Sequence, residues 1–301
     1  MKRYFGVFVL LCSVLMLVFR RGFLTGAQYG VQFCINTLAP AVFPFSFLCC
    51  LYAQSDFCYR VGRALYPLNK RLFSLSECGG GILFMSLLCP SPVCAHEICN
   101  MYRKGKIGKN NAELLCSYTG GTSPSLMIGF AGAFLFSSAA KGVIIYGVCV
   151  LSSLIYGITL RGKMIYENRD MIKQTEIFSF PLCVKSAVSS CAYVCAYTVL
   201  FFTLKGGIES VFSSDGFLLY LFAEPVTGIY LAKNASHLIS EGWLFSLVCA
   251  SMSFTGLCTC LSVFSACRQC GLSPLPFFKG KIIQSVMSLA ISYLIYGIFF
   301  K

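Results

Sequence analysis

Charge is scarce in this 301-residue chain: 12% of residues carry it, while 57% are hydrophobic. Soluble domains run at about 25% charged and roughly 45–50% apolar. The shortage excludes a soluble globular domain, and the apolar excess excludes disorder. Acids are scarcer still, 11 against 24 lysines and arginines, for a formal net charge of +13. In a soluble protein that excess would suggest nucleic acid. No basic cluster here has the aromatic interleaving of a base-stacking surface, so no nucleic-acid partner is expected. In a membrane protein, basic residues instead collect in loops that stay cytoplasmic. Signs of catalysis are lacking too: there is no P-loop, no GxSxG, and no GxGxxG with a following acid. His96-Glu97-Ile98-Cys99-Asn100 starts like a zinc-protease motif, but Asn100 stands where the second histidine belongs. Nothing argues for an enzyme, and no metal or cofactor is expected.

Cysteine, by contrast, is plentiful at 19 residues. Cys12, Cys34, Cys49, Cys50, Cys89, Cys149, Cys191, Cys195 and Cys249 lie within apolar runs or at their edges. A free cysteine packs between helices as a small hydrophobe. The close pairs Cys258–Cys260 and Cys267–Cys270 have no second CxxC and no histidine pair at zinc-finger spacing. Structural packing, not metal or redox chemistry, is the expectation.

Nine apolar runs cover approximately 4–24, 30–53, 79–101, 113–136, 141–160, 182–204, 216–232, 242–266 and 280–300. About 20 helical residues cross a bilayer's hydrocarbon core, so this is a polytopic all-α membrane protein. Arg20-Arg21 after the first run, and the poor cleavage pattern of Thr25-Gly26-Ala27, predict an uncleaved first helix. Runs 141–160 and 280–300 read as plain spanning helices. Others are interrupted: Pro40 and Pro44 in run two, Pro90 and Pro92 in run three, Glu224-Pro225 in run seven. Run four contains Thr119-Gly120-Gly121-Thr122-Ser123-Pro124, and run eight Ser253-Phe254-Thr255-Gly256.

If all nine runs cross, the basic residues divide 11 to 13 between the two sides and give no orientation. If runs three and seven dip in and return, they divide 18 to 6, and the 18 side, with the N-terminus, is cytoplasmic. Runs 2–5 and 6–9 then share one order: helix, re-entrant hairpin, broken helix, helix. The halves are inverted, a plan recurrent in secondary transporters. Leu87-Leu88-Cys89-Pro90-Ser91-Pro92-Val93 echoes Leu221-Phe222-Ala223-Glu224-Pro225-Val226.

Irregular backbone at membrane depth is tolerated where it is buried in protein or lines a watery cavity. The four broken segments are therefore the candidate solute site: Pro90, Ser91 and Pro92; Thr119, Gly120, Gly121, Thr122 and Ser123; Thr227 and Gly228; Thr255 and Gly256. Half-helix N-termini there would attract an anion. The acids within runs, Glu224 and Glu97, are candidates for coupling to Na⁺ or H⁺, with a structural helix cap as the alternative for Glu224 and a place near the interface, close to Arg103, as the alternative for Glu97.

From Leu38 to Leu160 the chain resembles the YlbJ-type sporulation integral membrane proteins, which carry the "nucleoside recognition" Gate domain. The residues are Leu38-Ala39-Pro40-Ala41-Val42-Phe43-Pro44-Phe45, Cys89-Pro90-Ser91-Pro92-Val93-Cys94-Ala95, the basic turn Arg103-Lys104-Gly105-Lys106-Ile107, Ala112-Glu113-Leu114-Leu115, and Thr119 to Pro124. Glu224-Pro225-Val226-Thr227-Gly228 and Gly256-Leu257-Cys258 extend the likeness into the second half. Two family glycines stand here as Pro90 and Cys94, two asparagines as Gly120 and Gly121, and a polar glutamine as Leu261. The resemblance implies an anchor helix over 1–29, Gate-like repeats over 30–160 and 182–301, and a basic cytoplasmic linker over 161–181. It implies a cell-membrane or outer-forespore-membrane protein that moves dipicolinic acid during endospore formation by alternating access. Its partners would be that small anionic solute, the lipid bilayer, and further copies or other sporulation membrane proteins. The rival expectations are an ion-coupled nucleoside or metabolite carrier and a non-transporting sporulation scaffold.

Overall fold

The computed structural model describes residues 2–164, 179–211, 217–234 and 239–300, and it is helical almost throughout. The first half comprises α1 (Lys2–Val18), α2 (Arg20–Phe33), α3 (Ala39–Gln54), α4 (Asp56–Ala64), α5 (Tyr66–Phe73), α6 (Glu77–Leu88), α7 (Ser91–Arg103), α8 (Lys109–Tyr118) and α9 (Ala139–Thr159). The second comprises α10 (Phe180–Val211), α11 (Phe217–Ala223), α12 (Pro225–Asn234), α13 (Glu241–Phe254), α14 (Gly256–Gln269) and α15 (Leu275–Phe299). A π-helical turn, Cys34–Leu38, joins α2 to α3, and a π-helical segment, Leu126–Leu135, follows α8. The middle of the linker, with Arg169 and Lys173, lies outside the described residues.

Four helical segments among these are long and apolar enough to cross a bilayer: Ala139–Thr159, Phe180–Ser210, Glu241–Gln269 and Leu275–Phe299. Two bent helix pairs raise the number to six if each is one span. Leu10, Leu17 and Val18 on α1, and Val286, Leu294 and Ile298 on α15, expose their side chains, as lipid-facing residues do. The chain is an all-α integral membrane protein with several spans.

Local chemistry sets where helices start and stop. Ser76 caps α6 by accepting from Gly79 N at 3.3 Å, and Ser138 caps α9 by accepting from Lys141 N at 3.3 Å. Proline ends α6, because Cys89 before Pro90 is driven out of the helical region to φ −100°, ψ 139°. Gly22, Gly26 and Gly30 let α2 lie on α10, where any added Cβ would strike Gly206, Phe202 or Val199.

Helices α6 and α7 fold back on each other: Cys78 near the start of α6 reaches Met101 near the end of α7, Sγ to Sδ 3.5 Å. Helices α11 and α12 make a second, smaller hairpin, in which a Cβ on Gly228 would run into Leu221. The core spans both halves. Ile82, Ile98 and Leu115 pack with Val263, Cys267 and Phe277. Ile145 and Val148 pack with Leu221, Phe245 and Met252.

Two groups of polar contacts join helix ends and the connections between them. In one, Ser179 N donates to Gln54 Oε1 (3.3 Å), Arg103 Nη2 to Gln269 O (3.0 Å), Asn110 Nδ2 to Lys163 O (2.9 Å) and Ser273 N to Glu113 Oε1 (2.8 Å). In the other, Lys141 pairs with Glu241, and Lys233 sits over the Phe134 ring at 3.9 Å.

Candidate functional site

The tip of the α6–α7 hairpin is Cys89-Pro90-Ser91-Pro92. Pro90 is extended at φ −64°, ψ 149°, so the chain turns there, and its carbonyl accepts from Cys94 N at 3.2 Å to open α7. The cysteines bring a correction: Cys49 and Cys89, expected as free packing residues, form a disulfide that ties the tip to α3. Cys258, Cys260, Cys267 and Cys270 remain free thiols. Among the described residues no cluster of His, Cys, Asp and Glu is arranged to hold a metal.

The segment after α8 runs beside this tip. Ser91 N donates to Gly121 O at 2.9 Å, a single parallel bridge between Pro90 and Gly121. Gly120 takes φ +68°, and a Cβ there would stand 2.7 Å from Ser91 Cα. Only glycine satisfies both the left-handed backbone and that approach. Thr119 Oγ1 donates to Leu115 O at 2.6 Å and closes α8. Ser123 Oγ pairs with Ser125 Oγ at 3.1 Å and accepts from Leu126 N at 3.4 Å, opening the next helical segment. Thr122 Oγ1 crosses to the other half and donates to Met252 O at 2.9 Å.

The second half repeats the arrangement with other residues. Glu224 lies between α11 and α12, only 6% exposed. Its Oε2 accepts from Thr227 N at 2.6 Å and from Thr227 Oγ1 at 2.7 Å, which caps α12. Thr255 (φ +71°) and Gly256 (φ +82°) break the helix between α13 and α14. Gly256 abuts the Pro225 ring and Ala223 O, as Gly120 abuts Ser91. Each hairpin tip thus lies against the break in the helix that follows it.

All four breaks meet on one cleft. Pro90, Pro92, Gly121, Thr122, Ser123, Glu224 and Thr255 line it, together with Leu38 and Val42 before and within α3, Val194 and Thr198 of α10, and Cys258 and Thr259 of α14. Ser91, Thr119, Gly120, Thr227, Gly228 and Gly256 belong to the same breaks but stand behind the wall, shaping its backbone. The cavity measures about 60 Å³. Small-ligand sites run at about 300–1,000 Å³, so the cavity as it stands is smaller than a site of that kind.

Glu97 is not brought to this cleft. It faces a separate cavity of about 370 Å³, with Gln54, Arg103, Lys104, Lys106 and Lys185 around it. Helix α15 is also more than a plain span. Lys281, Gln284, Ser285, Ser288 and Ser292 recur at helical spacing and are all buried. Lys281 Nζ donates to Gly120 O and to Gln284 Oε1 (3.3 Å), and Gln284 Nε2 donates to Ser117 O at 2.7 Å. Ser288 Oγ donates to Ser152 Oγ at 2.8 Å. The 3–4-residue recurrence of polar groups was the signal for this face. The apolar run 280–300 masks it, because three of the five are serines, which do not interrupt a hydrophobic stretch.

No family model matches the chain, and no solved structure matches it. It is similar to the "Sporulation integral membrane protein YlbJ" of Bacillus subtilis (strain 168), 24% identical over 135 residues. The matched stretch covers 45% of this chain and 33% of that relative's length.

Proposed function

We propose that the chain is a transporter that carries a small anionic solute across the membrane by alternating access, with the four-break cleft as its solute site. The observation that carries this reading is the convergence of four helix interruptions, two from each half, on one small cavity. A scaffold has no use for unwound backbone at such a point, whereas a carrier needs it to bind and release a solute.

An inverted-repeat plan, with α6–α7 and α11–α12 as re-entrant hairpins, accounts for two further features. Ser91 opens α7 and Pro225 opens α12; Ala139 opens α9 and Leu275 opens α15, so equivalent starts recur at nearly constant separation. The connections bearing Arg103, Lys163 and Arg268 gather at one end, as the positive-inside rule demands of a cytoplasmic face. The N-terminus belongs on that face. The likeness to a sporulation membrane protein supports a role in endospore formation, in the cell membrane or outer forespore membrane. Dipicolinic acid is the solute we assign on that basis.

One observation favours a second reading. Glu224 presents a carboxylate to the cleft, which suits an ion-coupled carrier of nucleosides or other metabolites. The test is uptake into proteoliposomes of labelled pyridine-2,6-dicarboxylate, uridine and adenosine, with and without Na⁺ and proton gradients. Saturable, competable dicarboxylate uptake supports the first reading. Gradient-driven nucleoside uptake selects the second. No uptake of any of them contradicts both and leaves the non-transporting scaffold.

A further inference from the structure

Lys281 is 1% exposed, yet its hydrogen-bond partners, Gly120 O and Gln284 Oε1, are neutral. Among the described residues no carboxylate lies within ion-pairing distance of it. An ammonium withdrawn from water without a counter-charge is costly, and such groups inside membranes mark solute or ion sites. Beside it a small cavity of about 30 Å³ has polar walls at Thr122, Ser253, Lys281 and Gln284 and apolar ones at Leu83 and Met127. Gly121 and Thr122 line both this cavity and the main cleft. A single stretch of irregular backbone therefore separates the buried cation from the solute site. The acid on the cleft, Glu224, has its Oε2 already committed to capping α12.

We infer that Lys281 is the group that pairs with the solute's carboxylate and makes the site select anions, residues 120–122 yielding as the cleft opens. This rests on the transporter reading for its transport readout but not for its binding readout. A merely structural lysine, neutralising the carbonyl end of α8, would need a donor and not a charge for the solute.

The test compares pyridine-2,6-dicarboxylate with its neutral dicarboxamide, in wild type, Lys281→Arg and Lys281→Gln, by initial uptake into proteoliposomes and by binding in nanodiscs. Wild type and Lys281→Arg should prefer the dianion. Lys281→Gln keeps donors for Gly120 O, yet its preference should fall by about tenfold or more, as loss of a buried charge partner does, with the dicarboxamide still handled. An unchanged preference in Lys281→Gln, or equal loss of both compounds there but not in Lys281→Arg, overturns the inference. Binding that prefers the dianion only when Lys281 or Arg is present, without uptake, sustains it and contradicts the transporter reading instead. If wild type neither binds nor carries the dianion in preference to the amide, the inference is wrong.

Discussion

Replacing Gly120 by alanine isolates what the close approach between the two broken segments contributes. Gly120 and Gly105 have nearly the same backbone, φ +68° and +70°, so alanine meets the same left-handed penalty at both, roughly 1–2 kcal/mol. At Gly105 an added Cβ finds no atom within 4 Å, and the penalty is the whole effect. At Gly120 the Cβ would sit 2.7 Å from Ser91 Cα and 3.3 Å from Cys94 Cβ. Backbone cannot swing aside as a side-chain end does, so overpacking adds about 1–3 kcal/mol. The expected loss is about 1–2 kcal/mol for Gly105→Ala and about 2–5 kcal/mol for Gly120→Ala. Denaturant titration of the purified protein in micelles, followed by circular dichroism, reads both. Equal losses would refute the packing of the α6–α7 tip on the segment after α8.

Glu224→Gln keeps an acceptor for Thr227 and should melt close to wild type, whereas Glu224→Ala removes the cap and should cost about 1 kcal/mol more; equal stabilities would contradict the capping geometry. Opening the Cys49–Cys89 bridge, which spans 40 residues, should lower stability by about 2–4 kcal/mol, and added reductant should do nothing further to a Cys49→Ala/Cys89→Ala double variant. A reductant effect that persists in the double variant would place the sensitive bond elsewhere. Cysteines introduced at Lys109 and Arg268 should react with an impermeant maleimide from the same side of sealed vesicles, and one at Glu241 from the opposite side. Labelling of all three from one side would break the face assignment and the inverted-repeat plan with it.

The helices and their breaks were legible because lipid and backbone chemistry leave one-dimensional marks. Apolar runs announce helices, and Pro90, Pro225, Gly120 and Gly256 announce interruptions, since proline lacks a donor and glycine accepts left-handed backbone most readily. What the run pattern missed was set by three-dimensional proximity. Cys49 and Cys89 are two of 19 similar cysteines, and nothing in their spacing selects that pair. Lys281, near the start of an apolar run, reads as an interfacial cation until α15 is seen to begin at Leu275 and to bury that face. Glu97 and Glu224 are both acids within runs, but nearness to Arg103 already sets Glu97 toward the interface. The hairpin places Glu97 along α7 beyond the tip, facing another cavity. Pro44 behaves less drastically than its position suggests: it sits inside α3, which continues through it to Gln54.

The central claim is that four separate breaks form one solute site, and chemical protection tests it most directly. Single cysteines would be placed at Pro92, Thr122, Val226 and Thr255, one in each break and all on the cleft wall. Their reaction with a small thiol reagent would be read at the introduced residue by peptide mass, with increasing pyridine-2,6-dicarboxylate. The account predicts that all four are protected over the same concentration range, while a cysteine at Gly105, outside the cleft, is not. Protection at one break alone, at different concentrations for each, or at none would contradict a shared site.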